Sequence, residues 1–283
     1  MKPELRNKLI LWACVGIYLL VNLYCIWKKE FFFIPAIALV VGVLYLLVYR
    51  VNWLMYVMAF VTPLSVVMNN EKFQLGISLP SEFIMIALTL LFFCRLLYDL
   101  KWDKRWALHP ISIAVYAYLI WMLMTCVTSE RPVVSFKFLA SKIWFITSCY
   151  FMVIQLIKND LKNAVKFFDC YTVGFVIVVI YTTIHHAIMG FTEHSGHWVM
   201  RPFYNDHTAY GAVLAFFIPI VAGLFFQTEQ KGKKWFYLLC GLILLTGLYL
   251  SYCRAAWLSI IAIMGVWIVM KLKIKFSWLV MTV

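Results

Sequence analysis

Two arginines stand where a fixed positive charge needs a reason. Arg254 lies in Tyr249-Leu250-Ser251-Tyr252-Cys253-Arg254-Ala255-Ala256-Trp257-Leu258, between two apolar runs with almost no loop to hydrate it. A cation at such a reversal faces a protein partner, a water-filled cavity or an anionic ligand. Ala255 and Ala256 open the next helix without bulky side chains, so free amide N–H groups and the positive end of the helix dipole would lie beside the guanidinium. That combination suits a phosphate. A salt bridge, or a side chain reaching back to the headgroups, answers the same spacing equally well.

Arg201 is the second candidate cation, inside the hydrophilic stretch 190–207, and Pro202-Phe203-Tyr204-Asn205-Asp206-His207-Thr208 follows it. Asn205 or Asp206 can cap the helix that begins there, and Asp206 can equally face a ligand. The same stretch holds metal-ligand residue types in Glu193, His194, His197 and His207, with His185 and His186 just before. HxxH spacing alone is weak, and no HExxH helix or thiolate pair supports it, so no metal and no cofactor is expected. The sequence carries no nucleophile constellation, phosphate-binding glycine loop or dinucleotide fingerprint. None of its six histidines is assignable as a catalytic base by motif.

The elements that must position these groups are membrane helices. Of the 283 residues 65% are hydrophobic and only 13% charged, too little polar surface for a soluble domain. Apolar runs fall at 9–27, 31–49, 51–68, 83–100, 111–127, 143–157, 167–189, 208–226, 236–252 and 255–270. They predict an all-α, polytopic transmembrane bundle of about ten spans, each long enough for a hydrocarbon core of about 30 Å. The run that starts at Ser277 stops at Val283, so the single transmembrane domain 1–283 is expected to be the N-terminal part of a longer protein. The formal net charge of +13 does not predict nucleic-acid binding, because the basic residues sit in short clusters between apolar runs. Such clusters orient spans and meet anionic lipid headgroups. With the N-terminus cytoplasmic, about two-thirds of the 25 lysines and arginines fall in inner segments, and Arg201 and Arg254 both lie outside. The eight cysteines are scattered through apolar segments and behave as small hydrophobes.

In three stretches, in their order and in span count, the chain resembles the O-antigen ligase and polymerase superfamily of bacterial envelope proteins, so that the resemblance covers most of its length. Arg201-Pro202-Phe203-Tyr204-Asn205-Asp206-His207-Thr208-Ala209-Tyr210-Gly211-Ala212 is similar to the family's arginine followed by Phe-x-Asn-x-His/Asn-x-x-Tyr-Gly entering a span. Ser251-Tyr252-Cys253-Arg254-Ala255-Ala256-Trp257-Leu258 is similar to its Ser-x-Ser-Arg-(Gly/Ala)-x-x-Leu, with Cys253 where many members have serine. A weaker match lies at Thr128-Ser129-Glu130-Arg131-Pro132-Val133-Val134-Ser135.

The resemblance implies a bacterial cytoplasmic-membrane protein that transfers a glycan at the outer face. The donor would be an undecaprenyl-diphosphate carrier, and the acceptor lipid A–core or a second carrier-linked glycan. It implies that Arg201 and Arg254 hold the diphosphate, supported by Asn205, Asp206, His207, Tyr210 and Ser251, without metal. It also implies a general-base histidine on a large outer loop, which the sequence to Val283 does not contain. The competing expectations are a polysaccharide-lipid transporter or flippase, and a non-catalytic remnant.

Overall fold

The computed structural model describes residues 42–43, 45–47, 49–70, 75–99 and 104–272. The expected spans at 9–27 and 31–49 and the apolar start at Ser277 lie largely or wholly outside these residues. The chain separates into two compact units, Met1–Leu54 and Met55–Val283. The second carries every element that bears on the candidate site.

Apart from one hairpin, the described regular structure is helical. Helix α1 (Val51–Val61) runs into a 3-10 turn, Thr62–Leu64, and an antiparallel hairpin of β1 (Val66–Asn70) and β2 (Leu75–Leu79) follows. The long helices are α2 (Ser81–Asp99), α4 (Pro110–Val127) and α5 (Pro132–Ile146), the last continued through a π-turn, Thr147–Phe151, into α6 (Met152–Asn159). They continue with α7 (Lys162–Ile188), α9 (His207–Gln227), α10 (Lys231–Leu250) and α11 (Arg254–Lys271). Single-turn helices α3 (Lys104–Ala107) and α8 (Glu193–Gly196) lie in the connections.

Seven helical stretches among the described residues are long and apolar enough to cross a membrane. They are Ser81–Tyr98, Pro110–Val127, Pro132–Lys158, Lys162–Ile188, His207–Gln227, Lys231–Leu250 and Arg254–Lys271. This is the architecture of a polytopic helical membrane protein. The expected span at 51–68 is corrected. Pro63 ends the helix within its 3-10 turn, and the β-branched pair Val66-Val67 passes into the hairpin. What remains, Val51–Leu64, is too short for a full crossing. It runs alongside α7 in the same direction, with the Tyr56 hydroxyl donating to Asn163 Oδ1 at 2.9 Å and Phe60 O closing on Gly174.

The core lies among α7, α9 and α10. On α9 the buried residues Tyr210, Leu214, Phe217 and Val221 recur at helical spacing, and Tyr237, Cys240, Leu244 and Leu248 do so on α10. Phe175, Val178, Val179 and Thr182 of α7 complete the packing. Lipid offers helices no hydrophobic reward for associating, so close backbone approach matters more than in a soluble core. The opposite faces present large apolar side chains outward, for example Leu258, Ile261 and Met270 on α11, as a lipid solvent requires.

Candidate functional site

Short reversals fix which helix ends meet. The C-terminus of α7, the N-terminus of α9, the C-terminus of α10 and the N-terminus of α11 share one end of the bundle, and they carry both candidate arginines. Helices α2 and α5 begin at this end too. They run parallel, with Thr89 Oγ1 donating to Trp144 O at 3.3 Å and the rings of Phe92 and Phe151 stacking at 5.9 Å.

The turn that presents Arg254 is closed by its neighbours. Ser251 Oγ donates to Leu248 O at 2.7 Å and accepts from the Cys253 amide at 3.3 Å. Trp257 Nε1 donates to the same Leu248 carbonyl at 2.9 Å. Tyr252 takes the left-handed backbone conformation, φ +51°, which lets the chain reverse within Ser251–Cys253. Cys253 is the N-cap of α11 and forms no side-chain cap. The Ala256 amide turns back to Cys253 O at 3.1 Å, and the positive end of the helix dipole lies beside Arg254.

Gly211 brings this turn against α9. A Cβ there would stand 2.8 Å from Cys253 Cβ and 3.2 Å from Ala256 Cβ, inside any ordinary contact distance. The loop that carries Arg201 is held to the same turn. Tyr252 OH donates to Phe191 O at 3.3 Å, and a Cβ on Gly196 would meet the Tyr252 ring at 2.5 Å. The stretches 201–212 and 251–258 quoted for the family resemblance are therefore packed against each other, although about forty residues apart in sequence. The sequence alone does not mark Gly196 and Gly211 as the contacts that join them; a glycine inside an otherwise apolar helix is the one signal it holds for the second.

Arg201 is exposed in the turn 197–203, which is anchored by buried Val199 and Met200 and by a contact at 3.1 Å between His185 Nδ1 and Val199 O. Arg254 is exposed as the first residue of α11. Among the described residues neither guanidinium has an ion pair or hydrogen bond. Asn205 is exposed. Asp206 caps α9, accepting from the Ala209 amide at 2.8 Å and from the Thr208 hydroxyl. These bonds, that of Thr208 foremost, hold its carboxyl below the ordinary carboxylate range. Tyr210 is 1% exposed and belongs to the core, and Ser251, also 1% exposed, closes the turn. Burial, with Tyr171 alongside, pushes the Tyr204 phenol well above its usual range.

The histidines are spread over separate contacts. His186 is buried and its Nε2 meets Thr192 O at 3.1 Å, which makes that nitrogen the donor and leaves Nδ1 as an unpartnered acceptor. His197 and His207 face each other with Nδ1 atoms 3.1 Å apart. Among the described residues no three His, Cys, Asp or Glu side chains converge as a metal ion would require.

Comparison with protein-family models, with curated proteins and with solved structures found no match to this chain.

Proposed function

We propose that the chain acts as a metal-independent glycan transferase at the outer face of the bacterial cytoplasmic membrane. Its donor is a glycan on an undecaprenyl-diphosphate carrier, and its acceptor is a sugar hydroxyl of lipid A–core or of a second carrier-linked glycan. One observation carries this reading. Arg254 opens an uncapped helix with no partner for its guanidinium among the described residues, and it is packed by way of Gly211, Cys253, Tyr252 and Gly196 to the loop that presents Arg201. A doubly negative group is what two unpaired cations beside the positive end of a helix dipole are suited to hold.

The chemistry follows from charge. In transfer, the acceptor oxygen bonds to the anomeric carbon, the bond from that carbon to the carrier diphosphate breaks, and the acceptor proton passes through solvent to the departing diphosphate. Charge builds on the leaving group, and fixed guanidiniums in a poorly hydrated position stabilise it without reorganising. Orientation is supported by the basic residues at the opposite bundle end, Lys158, Lys162, Lys166, Lys231, Lys233, Lys234 and Lys271, which the positive-inside rule assigns to the cytoplasm.

The test is replacement of Arg254 by Ala and by Lys, followed by inspection of surface glycans and of membrane protein levels. Loss of transfer in both variants at normal membrane abundance is the expected result. A lysine keeps the charge but lacks the planar fork that grips two phosphate oxygens. Transfer at the wild-type rate in Arg254→Ala would remove Arg254 from the site. In cells without the gene, core lacking glycan indicates ligation and single repeat units indicate polymerisation.

A further inference from the structure

Beside the arginine loop lies a cavity of about 320 Å³, walled by the 3-10 turn after α1, β2, the start of α2 and the middle of α5. Phe203, two residues beyond Arg201, forms part of its lining. Glu82 and Lys142 also line it, and neither forms an ion pair with the other or with any described residue. Lys142 stands ten residues into a helix that crosses the membrane, about 15 Å along its axis, and its ammonium lies 5.1 Å from the Phe138 ring centre. A cation placed that far into a span is costly unless it serves a partner or a polar cavity.

The walls are fixed. Ser65 and Ser81 are buried, and Ser65 Oγ donates to Val61 O at 3.0 Å while accepting from the Ser81 amide at 3.3 Å. Just below, the π-turn at Thr147–Phe151 loosens the backbone ladder. The Trp144 carbonyl there accepts from Ser148 Oγ at 2.7 Å and from Thr89 Oγ1 at 3.3 Å, which ties α5 to α2. Such single-turn π-segments occur often at functional sites.

The lining selects its ligand by exclusion. A bare anion meets Glu82, and a bare cation meets Lys142. A neutral group rich in hydroxyls satisfies both, because hydroxyls donate to the carboxylate and accept from the ammonium. Phe138, Trp144 and Phe203 supply apolar faces for the C–H side of a sugar ring. We propose that this cavity is the acceptor subsite, holding the sugar ring whose hydroxyl receives the transferred glycan. It rests on the transferase function proposed above, and it adds the place and chemistry of acceptor recognition.

The test uses the full chain in proteoliposomes with carrier-linked donor, titrating in turn lipid A–core glycolipid and a second carrier-linked glycan as acceptor. Glu82→Gln and Lys142→Gln are each expected to raise the acceptor KM roughly tenfold while kcat and the donor KM stay unchanged, the signature of lost ground-state binding to a charged group. Ser141→Trp, which fills the cavity from α5, is expected to abolish saturation by acceptor while the donor still binds. An unchanged acceptor KM in all three variants, or a raised donor KM instead, overturns the subsite. Competition between acceptor and phosphatidylethanolamine in wild-type vesicles that disappears in Lys142→Gln would make the cavity a lipid-headgroup site, which also overturns it. If Arg254→Ala transfers normally, or wild type transfers nothing, the function fails and the subsite with it. Unchanged acceptor kinetics with Arg254→Ala inactive sinks the subsite alone.

Discussion

At Ser251 the hydroxyl donates to one backbone group and accepts from another, both within a buried turn. Its position beside Arg254 in the motif thus has a structural explanation that needs no ligand. Removing the hydroxyl leaves the Cys253 amide buried without its partner, a penalty of about 1–3 kcal/mol. Ser251→Ala is expected to lower the unfolding temperature of the detergent-purified protein, and Ser251→Thr to restore most of it. Asp206 behaves alike. Its carboxylate caps α9, and its folded-state pKa lies below the ordinary value. A group lowered by folding contributes stability above its unfolded pKa, about 4, and loses it as pH falls through the lower folded value. The difference in unfolding temperature between wild type and Asp206→Ala is therefore expected to stay constant from neutral pH to about pH 5 and to shrink only in stronger acid. Asp206→Asn, also a good N-cap, should remain close to wild type at neutral pH. A collapse of transfer in Asp206→Asn with unchanged stability would instead assign the carboxylate to the ligand.

At the scale of elements, the contact between α9 and α11 sets where the Arg254 guanidinium emerges. Gly211→Ala inserts a methyl group against Cys253 Cβ, and overpacking of this kind typically costs about 1–3 kcal/mol. Lower thermal stability and reduced transfer are both expected. Cys253→Gly is the compensating change, because it removes the nearest atom and leaves a residue type that helices accept as N-cap. If the double variant is no better than Gly211→Ala alone, the contact does not position the arginine. This packing was only partly legible in sequence. Apolar runs such as 111–127 and 208–226 correspond closely to Pro110–Val127 and His207–Gln227, because uninterrupted hydrophobicity is itself the condition for a span. Lys137 and Lys142 interrupt the apolar pattern, so hydropathy marks only 143–157, whereas the helix starts at Pro132 and Lys142 lines a cavity of mixed polarity. At 51–68 hydropathy could not register that Pro63 stops the helix and that β1 follows. Glu82 and Lys142 are sixty residues apart, and only the parallel pairing of α2 with α5 brings them to one space.

Over the whole molecule the decisive asymmetry is between the two bundle ends. One end is lysine-rich, at Lys158–Lys166, Lys231–Lys234 and Lys271. The other has Arg131, Arg201 and Arg254, each exposed. Lysine clusters beside short loops keep their end in the cytoplasm during insertion, and the positive-inside rule therefore predicts an outward-facing arginine end, as the proposed donor site requires. Single cysteines at Arg201→Cys and Arg254→Cys, in a background lacking the eight natural cysteines, should both react in intact cells with a membrane-impermeant maleimide. A cysteine at Lys233 should react only after the membrane is opened. Because α9 and α10 are antiparallel and joined by a three-residue turn, Thr228–Gln230, positions 201 and 254 must label from the same side if these helices span. Labelling of 201 and 254 from opposite sides would contradict the packing of Gly211 on Cys253 itself. Labelling of both only from the cytoplasm would leave the bundle intact and remove the outward-facing donor site.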